Sequence, residues 1–206
     1  MSDTNWSEIP SDGVIDETIE ALTQNGIQGF VVDTHEEAKN KVLELVPEGE
    51  EVFTVTSQTL DESGIASAIN ESGKYKSVRK ELMSLDREKD ASLMQKIGAA
   101  PQYVVGSVHA VTEDGKVVVA SNSGSQLPAY AYGAAHVIWV VSADKITKDL
   151  DGALKRIHDY VLPLESERAH KAYGVQGSFV SKLLIFNRET NAQRITLIFV
   201  KEKLGF

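Results

Sequence analysis

The chain has 206 residues, 42% of them hydrophobic and 25% charged, which is enough for one substantial α/β core or at most two small domains. Its formal charge of −9 argues against nucleic acid or an anionic membrane as the main partner, because both attract basic surfaces. It holds no Cys, which excludes disulfides, a Cys-ligated iron–sulfur cluster and a thiol nucleophile, and no apolar run approaches the roughly 20 residues that span a bilayer.

Residues 1–13 read as a loose N-terminal segment, with Trp6 as a residue that could dock on the body. The segment is polar and acidic, without the basic start or apolar centre of a signal peptide, so the expected location is the cytoplasm. Residues 14–206 read as a single domain. Ile15, Ile19 and Leu22 recur on one face of a helix over Val14–Asn25, with Gly26 suited to its C-cap. Ile27–Val32 is a strand, and Thr34 with Glu37 fits a capping box opening a second helix. Glu51–Thr56 is the next strand. Thr59 with Glu62 fits another capping box, for a helix through Leu60, Ile65 and Ile69. This alternation predicts parallel strands joined by right-handed crossovers. Tyr75–Leu82 can hold a short strand and Asp86–Ile97 a helix.

Tyr103–Val111 is strand-like, and Thr112-Glu113-Asp114-Gly115 is a hairpin turn returning along Lys116–Ala120. After the Gly/Ser/Asn loop Ser121–Ser125, Pro128–Gly133 reads as a short helix. His136–Val141 is so continuously apolar that it predicts an internal strand covered on both faces. Leu150, Leu154, Ile157 and Val161 mark an amphipathic helix that Pro163 should stop, and the charged stretch Glu165–Lys171 reads as a connecting helix. Lys182–Phe186 and Arg194–Val200 close the chain as a strand pair joined by a hairpin loop over Asn187–Gln193. The expected fold is therefore α/β, three-layered, with a mainly parallel sheet flanked by helices, a hairpin insertion and a C-terminal strand pair.

Polar residues collect where strands end, the usual place for a site on a parallel sheet. Ser57 and Thr59, between a strand and a helix, suit an anion seat of hydroxyls and free N–H groups, and equally suit a plain helix cap. Ser107 and His109 are two apart on an extended segment and can point together, with Glu113 facing back across the turn; such a trio can transfer protons, or can be a packed His beside a solvated hairpin tip. No Asp or Glu is spaced to orient His109 as in a Ser-His-Asp triad. The loop Asn122, Ser123, Gly124, Ser125 and Gln126 opens onto a helix, and Gly124 would let backbone approach a ligand. It fits neither nucleotide-binding glycine motif. The remaining His residues are scattered without metal-ligand spacing, so no metal is expected. Arg168 lies where it could reach an anion, or could simply be salt-bridged.

Gly106-Ser107-Val108-His109-Ala110-Val111-Thr112-Glu113-Asp114-Gly115, the Asn122–Gln126 loop, the strand Val137–Val141 and Ala143-Asp144-Lys145-Ile146 together resemble the LUD (lactate utilisation) domain family. Ser57-Gln58-Thr59-Leu60 with Gly64 upstream, and Arg194-Ile195-Thr196-Leu197 with Leu204-Gly205-Phe206 downstream, extend the resemblance over most of the chain. It implies a fold like that of ribose-phosphate isomerase, glucosamine-phosphate deaminase and the CoA transferases. It also implies a link to L-lactate oxidation alongside iron–sulfur subunits. Two departures stand out: the Cys cluster of many stand-alone members is replaced by Arg168–Val180, and His109 and Ser123-Gly124-Ser125-Gln126 stand at positions usually held by Asn and by Gly-Asn-Arg.

The expectation is a protein of lactate or related organic-acid metabolism binding a small carboxylate or phosphorylated metabolite, without a cofactor. Glu113 and His109 are the acid/base candidates, and Ser57, Thr59, Ser107, Asn122, Gly124, Ser125 and Gln126 the binding ones. Two alternatives are a sugar-phosphate isomerase or acyl/CoA-transferase-like enzyme, and a non-catalytic subunit docking on an iron–sulfur redox partner protein.

Overall fold

The computed structural model describes residues 5–206; positions 1–4 of the expected loose segment lie outside the described residues. Residues 5–11 carry no regular helix or strand, yet Ile9 packs against the core and the Ser7 hydroxyl lies 3.1 Å from that of Tyr160. Helix α1 (Asp12–Gln24) buries Ile15, Thr18 and Leu22. Strand β1 (Gln28–Val32) leads to α2 (His35–Leu45), which opens on the expected box: Thr34 accepts from the Glu37 N–H while the Glu37 carboxylate reaches back. Next come β2 (Glu51–Thr54), α3 (Gln58–Glu62), α4 (Ile65–Asn70), β3 (Lys76–Ser77), α5 (Val78–Ser84) and α6 (Ala91–Ala99).

Two local expectations in this half need correction. The cap of α3 is Ser57, which accepts from the Leu60 N–H, and Thr59 lies inside the helix as a buried residue. The single helix expected through Leu60, Ile65 and Ile69 is two, broken at Gly64, whose φ of 72° only Gly adopts cheaply.

The strand-like run Tyr103–Val111 also divides. Strand β4 (Tyr103–Gly106) belongs to one sheet and β5 (Ala110–Thr112) to another, with Ser107–His109 as the bend between them. Any side chain at Gly106 would collide with the Tyr130 phenol and come within 2.7 Å of Val55 Cγ2. The hairpin follows as expected, with β6 (Val117–Ser121) antiparallel to β5. A π-helical turn (Ala129–Gly133) replaces the short helix, and β7 (His136–Ser142) is the expected internal strand.

Strand β8 (Ile146–Thr147) precedes α7 (Leu150–Arg156). Pro163 does not stop the helical path. A π-helical turn (Ile157–Val161) continues directly into α8 (Leu162–Tyr173), with Pro163 in its first turn, where a missing N–H costs little. The last strands, β9 (Lys182–Phe186) and β10 (Ile195–Val200), do not pair with each other: β9 joins the second sheet antiparallel to β6, and β10 inserts between β1 and β7.

The main sheet has the order β1-β10-β7-β4-β2-β3 and every pairing in it is parallel. The second has the order β8-β5-β6-β9 and is mixed. Side-chain alternation along β7 sends Val137, Trp139 and Val141 to one face and Ile138 and Val140 to the other. The first face packs on α1 and on the inner face of the second sheet, through residues such as Ile15, Leu22, Val117 and Phe186. The opposite face packs on α2, α3 and α4 through Val42, Leu60, Ile65 and Ile69. Helix α7 covers the second sheet's outer face through Ala153, beside Ala110 and Val118. The result is the expected α/β architecture, with the second sheet built into one of the flanking layers. Among the described residues, no helix is long and apolar enough to cross a membrane.

Candidate functional site

In an open parallel sheet, a crevice forms where neighbouring strands send their connections to opposite sides. Here the chain leaving β2 passes to β3 at the sheet edge, while the chain leaving β4 goes on through the second sheet to β7 on the inner side. Between these departures lies a cavity of about 320 Å³. Its walls are residues 55–59 after β2, Ser107–His109 after β4, and most of the loop after β6. Ile157, Val161 and Leu162, the segment Ser178–Val180, and Phe206 also line it.

Of the residues anticipated from sequence, Ser57, Thr59, Ser107, His109, Asn122, Ser125 and Gln126 all line this cavity. Gly124 lies between two lining residues. Its φ of 85° makes the turn that lets its N–H donate to Ser121 Oγ at 2.9 Å. The same hydroxyl donates to Gln126 Oε1 at 3.0 Å, and Ser123 Oγ donates to Ser125 Oγ at 3.2 Å, so the loop is held by its own side chains. Asn122 Oδ1 accepts from Ser181 Oγ at 3.1 Å, tying the loop to the strand start on the far wall. Glu113 is not brought to the site. It is exposed in the β5–β6 turn, whose next residues Asp114 and Gly115 accept from Asn25 Nδ2 at the end of α1. The cavity lies at the other end of β5, beside His109.

The site also holds a residue that no catalytic or binding motif in the sequence marks, Lys145. Lys145 follows β7 and is only 2% exposed, yet it lines the cavity. Its Nζ donates to Thr59 Oγ1 at 3.2 Å and to Ser107 Oγ at 3.4 Å, bridging the two strand-end segments. The Thr59 hydroxyl in turn donates to the Leu204 carbonyl at 3.2 Å, so it is committed to holding Lys145 and the last residues in place. Burial, with the Arg156 charge adding to it, pushes the Lys145 pKa down to about 7, against the opposing pull of Asp144 and Glu62. Its signal in the sequence was position: it stands three residues beyond the end of the most continuously apolar strand, where a parallel sheet presents its ligand groups.

Behind Lys145 lies a buried ion pair. Arg156 Nη2 is 3.7 Å from Asp144 Oδ2, and both side chains are fully shielded from solvent. Arg156 Nη1 donates to the His109 carbonyl at 2.7 Å, while both Asp144 carboxylate oxygens, Arg156 Nε and Nη2 have no hydrogen-bond partner among the described residues. His109 itself accepts from the Ala120 N–H through Nδ1 at 3.1 Å. Burial, then the Lys145 and Arg156 charges, lowers its pKa to about 3. It is thus a neutral imidazole at pH 7 with Nδ1 as acceptor, which puts the proton on Nε2.

Two further cations border the cavity. Arg79 donates to the Thr56 hydroxyl at 3.0 Å, and Arg168 grips Glu165 through Nε and Nη2, each at 2.7 Å. Tyr130 donates to the Ser107 carbonyl at 3.2 Å and is packed edge-on against Trp139. Among the described residues, no group of three His, Asp or Glu is placed to hold a metal ion.

Fold and site together define a parallel α/β protein with a polar, cation-bearing cavity at its strand ends. The LUD domain matches residues 15–200, and the chain belongs to that family, a lactate-utilisation-related domain. Among solved structures, it is similar to a DUF162 family protein from Deinococcus radiodurans, with a TM-score of 0.55 and 10% identity over 93% of this chain and 99% of that one. That likeness concerns the fold. A structure of eIF2B delta from Chaetomium thermophilum aligns with a TM-score of 0.37 and 16% identity, over 70% of this chain and 57% of that one. No curated protein sequence matches the chain significantly.

Proposed function

We propose that this LUD domain binds a small carboxylate or phosphorylated metabolite of lactate or related organic-acid metabolism in the strand-end cavity. The observation that carries the reading is the buried Lys145 amine, delivered into a cavity lined by hydroxyls and bordered by Arg79 and Arg168. A cavity of about 320 Å³ suits a ligand of a few to about a dozen non-hydrogen atoms, at the lower end of small-molecule sites. An anion arriving beside Lys145 favours its charged form, so binding draws a proton onto an amine that is about half neutral near pH 7. Neutral His109 offers Nε2–H as an uncharged donor, and the Ser107 and Ser125 hydroxyls supply others.

Calorimetry with inorganic phosphate, L-lactate and pyruvate tests this reading. The expected result is saturable binding whose heat changes with the ionisation enthalpy of the buffer, because protons are taken up. Lys145→Met should weaken binding about 10- to 100-fold, the equivalent of losing one hydrogen bond from a charged donor. Absence of binding for all three anions at millimolar concentration would remove the proposal.

A further inference from the structure

We propose that Lys145 is a nucleophile that condenses with the carbonyl carbon of a 2-oxo carboxylate to form an imine. The inference rests on the anion-binding reading of the same cavity and adds a reaction and a substrate class to it.

The geometry sets Lys145 apart from an ordinary lysine. Its Nζ is held by two neutral hydroxyls, those of Thr59 and Ser107, where a structural lysine would contact a carboxylate. The adjacent acid, Asp144, faces the Arg156 guanidinium across 3.7 Å. Around the amine stand the cationic Arg156 from α7, neutral His109 from the β4–β5 bend, Asp144 from its own segment and Glu62 from the end of α3. A lysine desolvated in this way and placed near a second cation keeps a substantial neutral fraction, and the neutral amine is the nucleophile. The residue is almost wholly buried, yet it borders the cavity, so a small electrophile in the cavity meets it directly. A 2-oxo carboxylate meets both demands of the site: an anionic end for the hydroxyls and guanidinium groups, and an electrophilic carbon beside it for the amine.

The step balances without an oxidant or reductant. The Nζ lone pair forms a bond to the carbonyl carbon, and the carbonyl oxygen takes up a proton to give a carbinolamine. Nitrogen then loses its proton, the hydroxyl departs as water with a second proton, and a C=N bond remains. Ser107, hydrogen-bonded to Nζ and lining the cavity, is placed to relay those protons.

The test is reductive trapping. The full chain is incubated with pyruvate and sodium cyanoborohydride, then examined by intact mass and peptide mapping, with calorimetry of pyruvate binding run in parallel. The expected result is one reduced pyruvate adduct per chain, located on Lys145 and suppressed by excess inorganic phosphate. The adduct should be lost in Lys145→Arg; in Ser107→Ala, which leaves the amine in place, it should form more slowly. An adduct spread evenly over surface lysines, or none on Lys145, overturns the imine proposal. Pyruvate binding without an adduct overturns it while leaving the anion site standing, and the absence of both overturns the two together.

Discussion

Replacing Arg156 by Met removes one member of a fully buried ion pair and the donor to the His109 carbonyl at one stroke. The magnitude follows from burial: breaking a buried pair costs about 3–5 kcal/mol because the remaining charge has no partner. Leaving the His109 carbonyl without its 2.7 Å donor adds about 1–3 kcal/mol. Arg156→Met should therefore lower stability by about 4 kcal/mol or more, a large share of the about 5–15 kcal/mol available to a typical domain. Replacing Asp144 by Asn in the same chain neutralises the stranded charge. The double variant should lose only about 1–3 kcal/mol, the portion belonging to the His109 carbonyl. Urea unfolding followed by tryptophan fluorescence measures both, since Trp139 is buried in the core. A single variant that costs less than about 1 kcal/mol, or a double variant whose cost equals the sum of the two singles, would refute the reasoning.

Three other expectations follow from the same surroundings. His109 has its pKa lowered to about 3 from the usual 6.5, so the unfolded chain takes up a proton that the folded chain refuses. Stability is therefore lost as pH falls from 6.5 towards 3. His109→Asn, which keeps an acceptor for the Ala120 N–H, should flatten the upper part of that decline in a series of urea midpoints; an unchanged slope would show that another group titrates. Lys145, lowered to about 7 from 10.5, makes stability rise as pH increases from about 7 towards 10.5, and Lys145→Met should abolish that rise in the same assay. Tyr130, whose phenol burial pushes well above its usual value of 10, opposes only above that value, which keeps the lower part of the window clear. Finally, Gly106→Ala drives a methyl into the Tyr130 phenol and close to Val55 Cγ2, and should cost about 1–3 kcal/mol or more by overpacking. Tyr130→Leu should recover part of that loss in thermal melts.

The parallel sheet was legible because its strands are short β-branched runs divided by helical periodicity and capping signals. Thr34 and Glu37 even form the reciprocal hydrogen bonds that their spacing implies. What escaped the sequence depends on contacts between distant residues. Nothing within Tyr103–Val111 marks its break except Gly106, and what requires Gly there is a tyrosine 24 positions later. The two last strands look like a hairpin locally, but their partners, β6 and the pair β1 and β7, decide that they part company. Pro163 looks like a stop because a regular helix interior cannot hold it, whereas the helical path restarts just before it after a π turn. At the site, hydroxyl-rich strand ends were visible as Ser57, Ser107 and Ser125. Lys145 was hidden inside an Asp-Lys dipeptide, since its surroundings, Thr59 of α3, Ser107 of the β4–β5 bend and Arg156 of α7, come together only in the folded chain. Glu113 shows the reverse error: closeness to His109 along the chain became distance, because β5 carries the two to opposite ends.

If this chain takes its ligand in the strand-end cavity around Lys145, the residues lining that cavity must respond to the ligand. An amide-resolved NMR titration of the isotopically labelled chain with pyruvate and with inorganic phosphate tests it directly. The prediction is saturable shifts concentrated in residues 55–59, 107–109 and 121–126, with Lys145 among the most affected. Saturable shifts centred elsewhere, such as the shallow groove at Thr23, Gly26 and Arg188, or no shifts at all at millimolar ligand, would contradict it.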